Sequence, residues 1–238
     1  MRTLDEIKVE IWEANKSLVS AGLVKMTWGN VSGYDRMHNL VVIKPSGLNY
    51  EEMTPEDMVV MSLSGEKISG ELNPSSDTPT HLEIYRAFPM IGGITHTHSM
   101  FATSFAQANI SIDCYGTTHA DHFYGAVPIT RWLTKEEVDS YYEKNTGKLI
   151  AETFQGKNPL EVPAVLVAGH GPFTFGKTPK ESVYNAIALE EIAMQAYYSK
   201  QLNANINPLK NYIIDKHYLR KHGPNAYYGQ LNPEEQEE

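Results

Sequence analysis

The chain has 238 residues, of which 41% are hydrophobic and 21% are charged, and its formal net charge is −9. A chain of this size can bury a full core without staples, and its acidic balance argues against nucleic acid as a partner. No apolar run reaches the roughly 20 residues of a membrane span. No signal-like apolar segment follows Met1, so we expect a cytoplasmic protein with no membrane partner. The single cysteine, Cys114, excludes an internal disulfide and is expected to be a small buried residue.

Helical and strand patterns alternate along the chain. In chain order they predict helices over residues 3–21, 78–88 and 99–108, and strands over residues 40–43, 59–63, 91–95 and 162–167. Capping-box patterns predict two more helix starts, at Thr134 with Glu137 and at Thr178 with Glu181. Strands that interleave with helices predict one α/β domain, over residues 1–230, with helices on both faces of a sheet. Residues 231–238 are acidic and are predicted to form a disordered tail.

The tripeptide His96-Thr97-His98 is the strongest sign of a metal site. Residues i and i+2 of a strand project to the same face, so two imidazoles at this spacing can reach one ion. A third ligand must come from elsewhere in the chain. His170 is the leading candidate because glycines on both sides let its backbone turn at the end of a buried strand.

Other histidines of the chain are also candidates for the third metal ligand. His119 and His122 flank Asp121 and could belong to the site or only pack beside it. His38 and His81 are expected to be surface or structural residues. The residues alone do not choose among these candidates.

Three segments rich in small donors, residues 29–32, 44–47 and 74–78, suggest an anion site. Backbone N–H groups near glycine and serine hydroxyls can cradle a phosphate, and Lys44 supplies a positive charge. The helix predicted to begin at Thr78 would direct its positive end toward such an anion. Each segment taken alone could also be an ordinary turn. None has the spacing of a Walker or dinucleotide motif.

Seven motifs occur in order along the chain: T-W-G-N-V-S-G at 27–33, I-K-P-S-G at 43–47, P-S-S-D-T-P-T-H at 74–81, H-T-H-S at 96–99, G-T-T-H-A-D at 116–121, D-K-H-Y-L-R-K-H-G at 215–223 and N-A-Y-Y-G-Q at 225–230. Together they resemble the L-ribulose-5-phosphate 4-epimerases, a group within the class II aldolase family. The resemblance runs from about residue 3 to residue 230. It implies a three-layer domain with a central mixed or antiparallel sheet.

The resemblance also implies roles for residues of this chain. Zinc, or another divalent transition metal, would be held by His96, His98 and His170, with Asp77 at or beside it. The substrate phosphate would bind Arg220 and the small-donor loops. The loop residues are Gly29, Asn30, Lys44, Ser46, Gly47, Ser75 and Ser76.

The proton-transfer groups implied by the resemblance are Asp121 and Tyr228. Tyr228 and His217 would come from a neighbouring subunit of a fourfold-symmetric homotetramer.

The implied substrate is a phosphorylated ketopentose, and its chemistry explains the site. The C4 hydrogen is not adjacent to the C2 carbonyl, so simple deprotonation gives no stabilised anion. The remaining route breaks the C3–C4 bond by a retro-aldol step and re-forms it on the other aldehyde face. The metal would stabilise the enediolate, and two proton-transfer groups would serve the two faces.

Three alternatives remain. Class II aldolases of ketose 1-phosphates are similar but carry glutamate where this chain has Asp77, and that glutamate is their base. A non-catalytic metal or sugar-phosphate binding protein would bind zinc without turnover. A zinc hydrolase with three histidines would leave the anion loops without a task.

Overall fold

The computed structural model describes residues 3–229, so the predicted tail at 231–238 lies outside the described residues. Seven strands form one sheet in which every pairing of named strands is antiparallel. They are β1 (Asn30–Asp35), β2 (Leu40–Ile43), β3 (Val59–Ser62), β4 (Lys67–Ser69), β5 (Gly93–His96), β6 (Ala164–Val167) and β7 (Gly171–Gly176). Their order across the sheet is β4-β3-β2-β1-β5-β7-β6.

Seven α-helices and one 3-10 turn (Pro55–Asp57) accompany the sheet within residues 3–229. The helices are α1 (Leu4–Ser20), α2 (Thr78–Ala87), α3 (Met100–Gln107), α4 (Thr117–Ala120), α5 (Lys135–Thr153), α6 (Pro179–Leu202) and α7 (Asn211–His222). None of the helices within these residues combines the length and apolar character needed to cross a membrane.

Alternating side chains of the strands enter cores on opposite faces of the sheet. Val41 and Ile43 of β2 join the core under α2 and α5, whereas Val42 joins the core under α1. Strand β6 divides in the same way, and its other core lies under α3 and α6. The prediction of one α/β domain with a central antiparallel sheet and helices on both faces is therefore confirmed.

Most predicted elements are present, with small shifts at their ends. Thr3 caps α1 through a full capping box, and Thr134 does the same for α5. Thr178 caps α6, but the Glu181 side chain accepts from Lys177 N–H, so the reciprocal half of that box is absent. Cys114 is buried, as predicted.

The side chain of Asn15 hydrogen-bonds to the backbone of β1 where β1 is no longer paired with β2. The ladder between β1 and β2 ends at the pair Ser32 and Ile43, because the chain after β2 turns away into the 44–47 loop. The buried Asn15 side chain then binds Val31, accepting from its N–H at 2.8 Å and donating to its carbonyl at 3.1 Å. The Val31 backbone, next to Asn30, therefore keeps hydrogen-bond partners although the 44–47 loop has left the sheet.

Candidate metal and anion site

His98, the second histidine of the His96-Thr97-His98 tripeptide, lies just past the end of β5. Strand β5 ends at His96, so the prediction that both His96 and His98 lie within a strand is wrong for His98. The chain turns there because Ser99 is the N-cap of α3. His98 still reaches the same point, since its Nε2 lies 3.1 Å from Nε2 of His96.

His170 occupies the tight turn between β6 and β7. Gly169 has φ +71°, and a Cβ there would lie 2.4 Å from the Trp132 ring, so the turn needs glycine. A Cβ on Gly171 would lie 2.9 Å from the carbonyl oxygen of Thr97. This close backbone approach brings the His170 ring within 4.8 Å of the His96 ring, centroid to centroid.

Three imidazoles therefore meet at one point. One potential ligand atom from each of His96, His98 and His170 lies within 4.8 Å of the others. Two nitrogens bound to one tetrahedral zinc at 2.0–2.1 Å would be about 3.3 Å apart, close to the 3.1 Å between His96 and His98. Three imidazoles also leave a fourth position for a substrate oxygen. The donor set fits a divalent metal such as zinc.

The hydrogen bonding and burial of the histidines suit metal binding. Nδ1 of His96 donates to the carbonyl of Pro172 at 2.9 Å, which turns its Nε2 toward the triad. Burial, reinforced by the neighbouring imidazoles, lowers the pKa of His170 to about 4. Burial also lowers the pKa of His98. Neutral imidazoles are the metal-binding species, so the site is ready to bind a cation near neutral pH.

Asp77 lies at the edge of the triad. It is the N-cap of α2, which begins at Thr78, so the observed cap lies one residue before the Thr78 cap that the sequence predicts. Its Oδ2 accepts from Nδ2 of Asn30 at 2.7 Å and lies 4.0 Å from Nε2 of His96. Burial works against ionisation, but the histidines and the Asn30 bond outweigh it and lower the pKa of Asp77. The carboxylate is therefore an anion beside the place where a metal would bind.

Two of the predicted small-donor segments run side by side. Ser46 N–H donates to Asn73 O, and Ser75 N–H donates to Lys44 O. Gly47, with φ +67°, turns the first segment. Within residues 3–229, the N–H groups of Gly47 and Ser76 make no hydrogen bond. These amides and the adjacent hydroxyls are the donors left for an anion.

Lys44 has a structural task that the sequence did not indicate. Its Nζ donates to the carbonyls of Thr27, Pro45 and Leu48 at 3.4, 3.2 and 3.0 Å, and lies 4.8 Å from the centre of the Tyr50 ring. Burial lowers the pKa of Lys44 to about 8. The ammonium joins two loops of the cavity wall and adds positive charge beside the unpaired amides.

One cavity of about 620 Å³ contains both the histidine triad and the small-donor segments. Its lining includes all four predicted metal-site residues and all the predicted phosphate-binding residues except Arg220: Gly29, Asn30, Lys44, Ser46, Gly47, Ser75, Ser76, Asp77, His96, His98 and His170. The structure therefore brings together residues from separate parts of the chain.

Sequence reasoning missed Tyr142 and Glu143, which also line this cavity. They reach it because α5 is kinked at Tyr141, which has φ −130° and ψ 73°. Nδ2 of Asn145 bridges the kink by donating to the carbonyl of Glu137 at 2.8 Å. No proline or glycine marks the kink, so the sequence carried no signal for it.

The predicted proton-transfer residues form a second cluster where α4 meets α7. Asp121 accepts from His217 Nδ1 at 3.1 Å and from Arg220 Nε and Nη2 at 3.1 and 2.7 Å. The Tyr228 ring lies over Arg220, with 5.0 Å from its centroid to Cζ. None of these four residues lines the cavity of the triad. Within one chain the predicted site residues therefore fall into two separate groups.

The remaining histidines take structural positions. His38 is at the surface and pairs with Asp35. His81 is fully buried, and its Nδ1 lies 2.7 Å from the Ser32 hydroxyl. Nε2 of His119 donates to the carbonyl of Gly125 at 2.8 Å, and the His122 ring packs against Tyr184. Neither of the last two joins the triad.

Comparison with known proteins agrees with this architecture. Residues 9–197 match the family model of the class II aldolase and adducin N-terminal domain. The chain belongs to this family. An L-fuculose 1-phosphate aldolase is 27% identical with a TM-score of 0.76, and the match covers 91% of this chain and 96% of that one. The family relationship is consistent with a metal-dependent enzyme built around the triad.

Two structures with lower identity share the fold. YgbL from Klebsiella pneumoniae, whose description names aldolase, epimerase and decarboxylase together, is 23% identical with a TM-score of 0.73, over 91% of this chain and 99% of that one. An L-fuculose 1-phosphate aldolase from Thermus thermophilus is 22% identical with a TM-score of 0.64, over 85% and 98%.

Proposed function

We propose that the chain is an L-ribulose-5-phosphate 4-epimerase, an isomerase that interconverts L-ribulose 5-phosphate and D-xylulose 5-phosphate. The position of Asp77 carries this choice over an aldolase. Its side chain is one methylene shorter than the glutamate expected of an aldolase, accepts from Asn30 and lies beside His96, which favours a role next to the metal over proton abstraction. Supporting this, Asp121 and Tyr228 offer two proton-transfer groups.

The residues would share the work as follows. The unpaired amides of Gly47 and Ser76, with the adjacent hydroxyls, hold the phosphate of the substrate. His96, His98 and His170 would hold zinc, whose Lewis acidity stabilises an enediolate. A base takes the proton of the C4 hydroxyl as the C3–C4 bond breaks, and the bond electrons pass to the enediolate.

Re-addition completes the proposed reaction. The aldehyde fragment turns while its phosphate stays on the loops, and a second group returns a proton to the C4 oxygen on the opposite face. Asp121 and Tyr228 are the pair proposed for these transfers, with His217 beside Asp121. Asp121, Tyr228 and His217 lie outside the cavity of the chain that carries them. We therefore propose that a neighbouring subunit of a homotetramer supplies them to each cavity. A cytoplasmic location stays a prediction.

A class II aldolase acting on a ketose 1-phosphate is the second candidate. The 27% identical relative is an L-fuculose 1-phosphate aldolase, and the triad and anion loops would suit such a substrate equally well. The two functions differ in product. An aldolase would release dihydroxyacetone phosphate from L-fuculose 1-phosphate, whereas an epimerase releases no fragment.

The deciding experiment incubates the purified protein with L-ribulose 5-phosphate and measures D-xylulose 5-phosphate, with and without a chelator. We expect turnover that is lost with the chelator and returns with zinc. His98→Ala should lose zinc and nearly all activity while staying folded, because the side chain is exposed. His38→Ala, another exposed histidine, is the matched control and should behave as wild type. Cleavage of L-fuculose 1-phosphate with no epimerisation would favour the aldolase.

A further inference from the structure

Arg220 touches both residues to which the proposed function gives proton transfer. We propose that Arg220 is a positioning residue, which holds Asp121 and Tyr228 in their working arrangement, and that it is not a ligand of the substrate phosphate. The inference rests on the proposed function and departs from one expectation drawn from the resemblance.

The first contact is a two-point bond to the carboxylate. Nε and Nη2 of Arg220 donate to the two different oxygens of Asp121 at 3.1 and 2.7 Å. The Asp121 side chain is only 12% exposed, so this bond is largely shielded from water. A fork of this kind fixes the plane and the direction of a carboxylate, which a single point charge cannot do.

The second contact is to the segment that follows α7. The carbonyl of Arg220 accepts from the N–H groups of Tyr227 and Tyr228 at 2.9 and 3.1 Å, folding the chain back over the end of the helix. The Tyr228 ring then covers the guanidinium face, within the range of a cation–π contact. One residue therefore sets the place of the aromatic hydroxyl with its backbone and the place of the carboxylate with its side chain.

These contacts leave little of Arg220 for an anion. Two of its three guanidinium nitrogens are bound to Asp121, one ring lies over its face, and it is absent from the lining of the anion cavity. Moving its side chain onto a phosphate would break the shielded ion pair and remove the guanidinium contact with the Tyr228 ring. Breaking such a pair costs more than a surface contact does, because a carboxylate would lose its main partner.

The surroundings of Asp121 keep its carboxylate ionised. His217, Arg220 and Lys221 face its carboxylate from α7, His222 donates to its backbone carbonyl, and His122 is the next residue along the chain. Burial tends to raise the pKa of Asp121, but the bonds from Arg220 and His217 and the charge of Lys221 outweigh it and lower that pKa. The carboxylate is thus ionised and fixed before substrate arrives.

The test separates positioning from phosphate binding by steady-state kinetics. We expect Arg220→Gln to lower kcat by about 100-fold, the size of effect that misplacing a catalytic group produces, with KM changed less than about threefold. Arg220→Lys keeps the charge but loses the fork, so it should stay well below wild type. Lys210→Gln removes a charge from the exposed start of the same helix and is the matched control.

A double-mutant cycle gives the second measurement. Arg220→Gln keeps the backbone carbonyl that binds Tyr228, so the lost side chain acts mainly through Asp121, and the variant should add almost no further loss of kcat in an Asp121→Asn background. A KM for the phosphorylated substrate raised tenfold or more at unchanged kcat would overturn the inference. Additive losses, or full activity in Arg220→Lys, would overturn it as well. Near-ultraviolet circular dichroism confirms that each variant is folded.

The cycle can be measured on whichever ketose phosphate the wild type turns over, so the kinetic test remains possible if the chain proves to be an aldolase. A wild type that turns over neither L-ribulose 5-phosphate nor L-fuculose 1-phosphate would overturn the proposed function and this inference together. An active wild type with the wrong kinetic pattern would overturn the inference alone.

Discussion

At the scale of single residues, His119 shows how burial ties a side chain to pH. Its ring is buried, its Nε2 donates to the carbonyl of Gly125, and burial lowers its pKa to about 4. An unfolded histidine has a pKa of about 6.5. Between these two pKa values His119 is protonated in the unfolded chain and neutral in the folded chain. The free energy of unfolding therefore decreases as the pH falls from about 6.5 toward 4.

We predict that His119→Gln changes this dependence. At pH 7 the wild type should be more stable by about 1 kcal/mol, since the variant weakens one buried hydrogen bond. By pH 5 the wild type should have lost about 2 kcal/mol relative to the variant, which has no such proton to refuse. Urea unfolding at both pH values measures the two differences. Equal differences at pH 7 and pH 5 would show that the imidazole is not held neutral.

At the scale of elements, α5 depends on close contact with α2. The Cα of Gly147 faces α2 so closely that an added Cβ would lie 2.7 Å from the carbonyl oxygen of Thr80 and 2.7 Å from Cβ of Glu83. The hydroxyl of Thr80 also donates to the carbonyl of Glu143 at 2.6 Å. These contacts fix the part of α5 that carries Tyr142 and Glu143 into the cavity.

We predict that Gly147→Ala destabilises the chain by about 1–3 kcal/mol, the usual cost of overpacking. An exposed helical glycine replaced by alanine would normally gain stability, so the expected sign is reversed by the contact with α2. Gly116→Ala is the control, because a Cβ there meets nothing within 4 Å. Guanidinium unfolding compares the two variants. A Gly147→Ala variant as stable as wild type would contradict the tight packing.

The elements that sequence reasoning found and missed differ in how they are stabilised. Strand β6 and helix α6 bury regular apolar patterns, so periodicity finds them. Strand β1 reads N-V-S-G-Y-D and β7 reads G-P-F-T-F-G, with the residue types of loops. They are strands because neighbours on both sides supply their hydrogen bonds, and such long-range pairing leaves no local pattern.

The candidate site divides along the same line. His96 and His98 are two residues apart, so the pair was visible in the sequence, although His98 lies past the end of β5. His170 was only a candidate until the β6–β7 turn brought it to them. Tyr142 entered the cavity through a kink that no proline or glycine announces.

At the scale of the whole molecule, the two groups of site residues lie in different places on one chain. The triad and the anion loops line one cavity, and Asp121 with Tyr228 lies on the α4–α7 side, outside that lining. His217 and Arg220 bind Asp121 within the same chain, so these four residues form one unit. If a neighbouring subunit supplies Tyr228 to a cavity, it supplies Asp121 with it.

This arrangement predicts complementation between inactive variants. His98→Ala should damage only the triad, and Asp121→Asn only the proton-transfer unit, so each homo-oligomer should be nearly inactive. In mixed oligomers some cavities with an intact triad meet an intact unit from the neighbour. Random mixing at equal amounts in a cyclic assembly gives about a quarter of the sites both intact parts.

We therefore expect the co-expressed pair to recover up to about a quarter of wild-type activity, measured on the mixed oligomers after purification. The control pair is His98→Ala with His96→Ala. Both variants damage the triad, so no mixture of them contains an intact cavity, and no recovery is expected. If His98→Ala and Asp121→Asn also fail to recover activity while forming mixed oligomers, each chain must build its site from its own residues. The two clusters would then have to meet by movement of α4 and α7 within one chain.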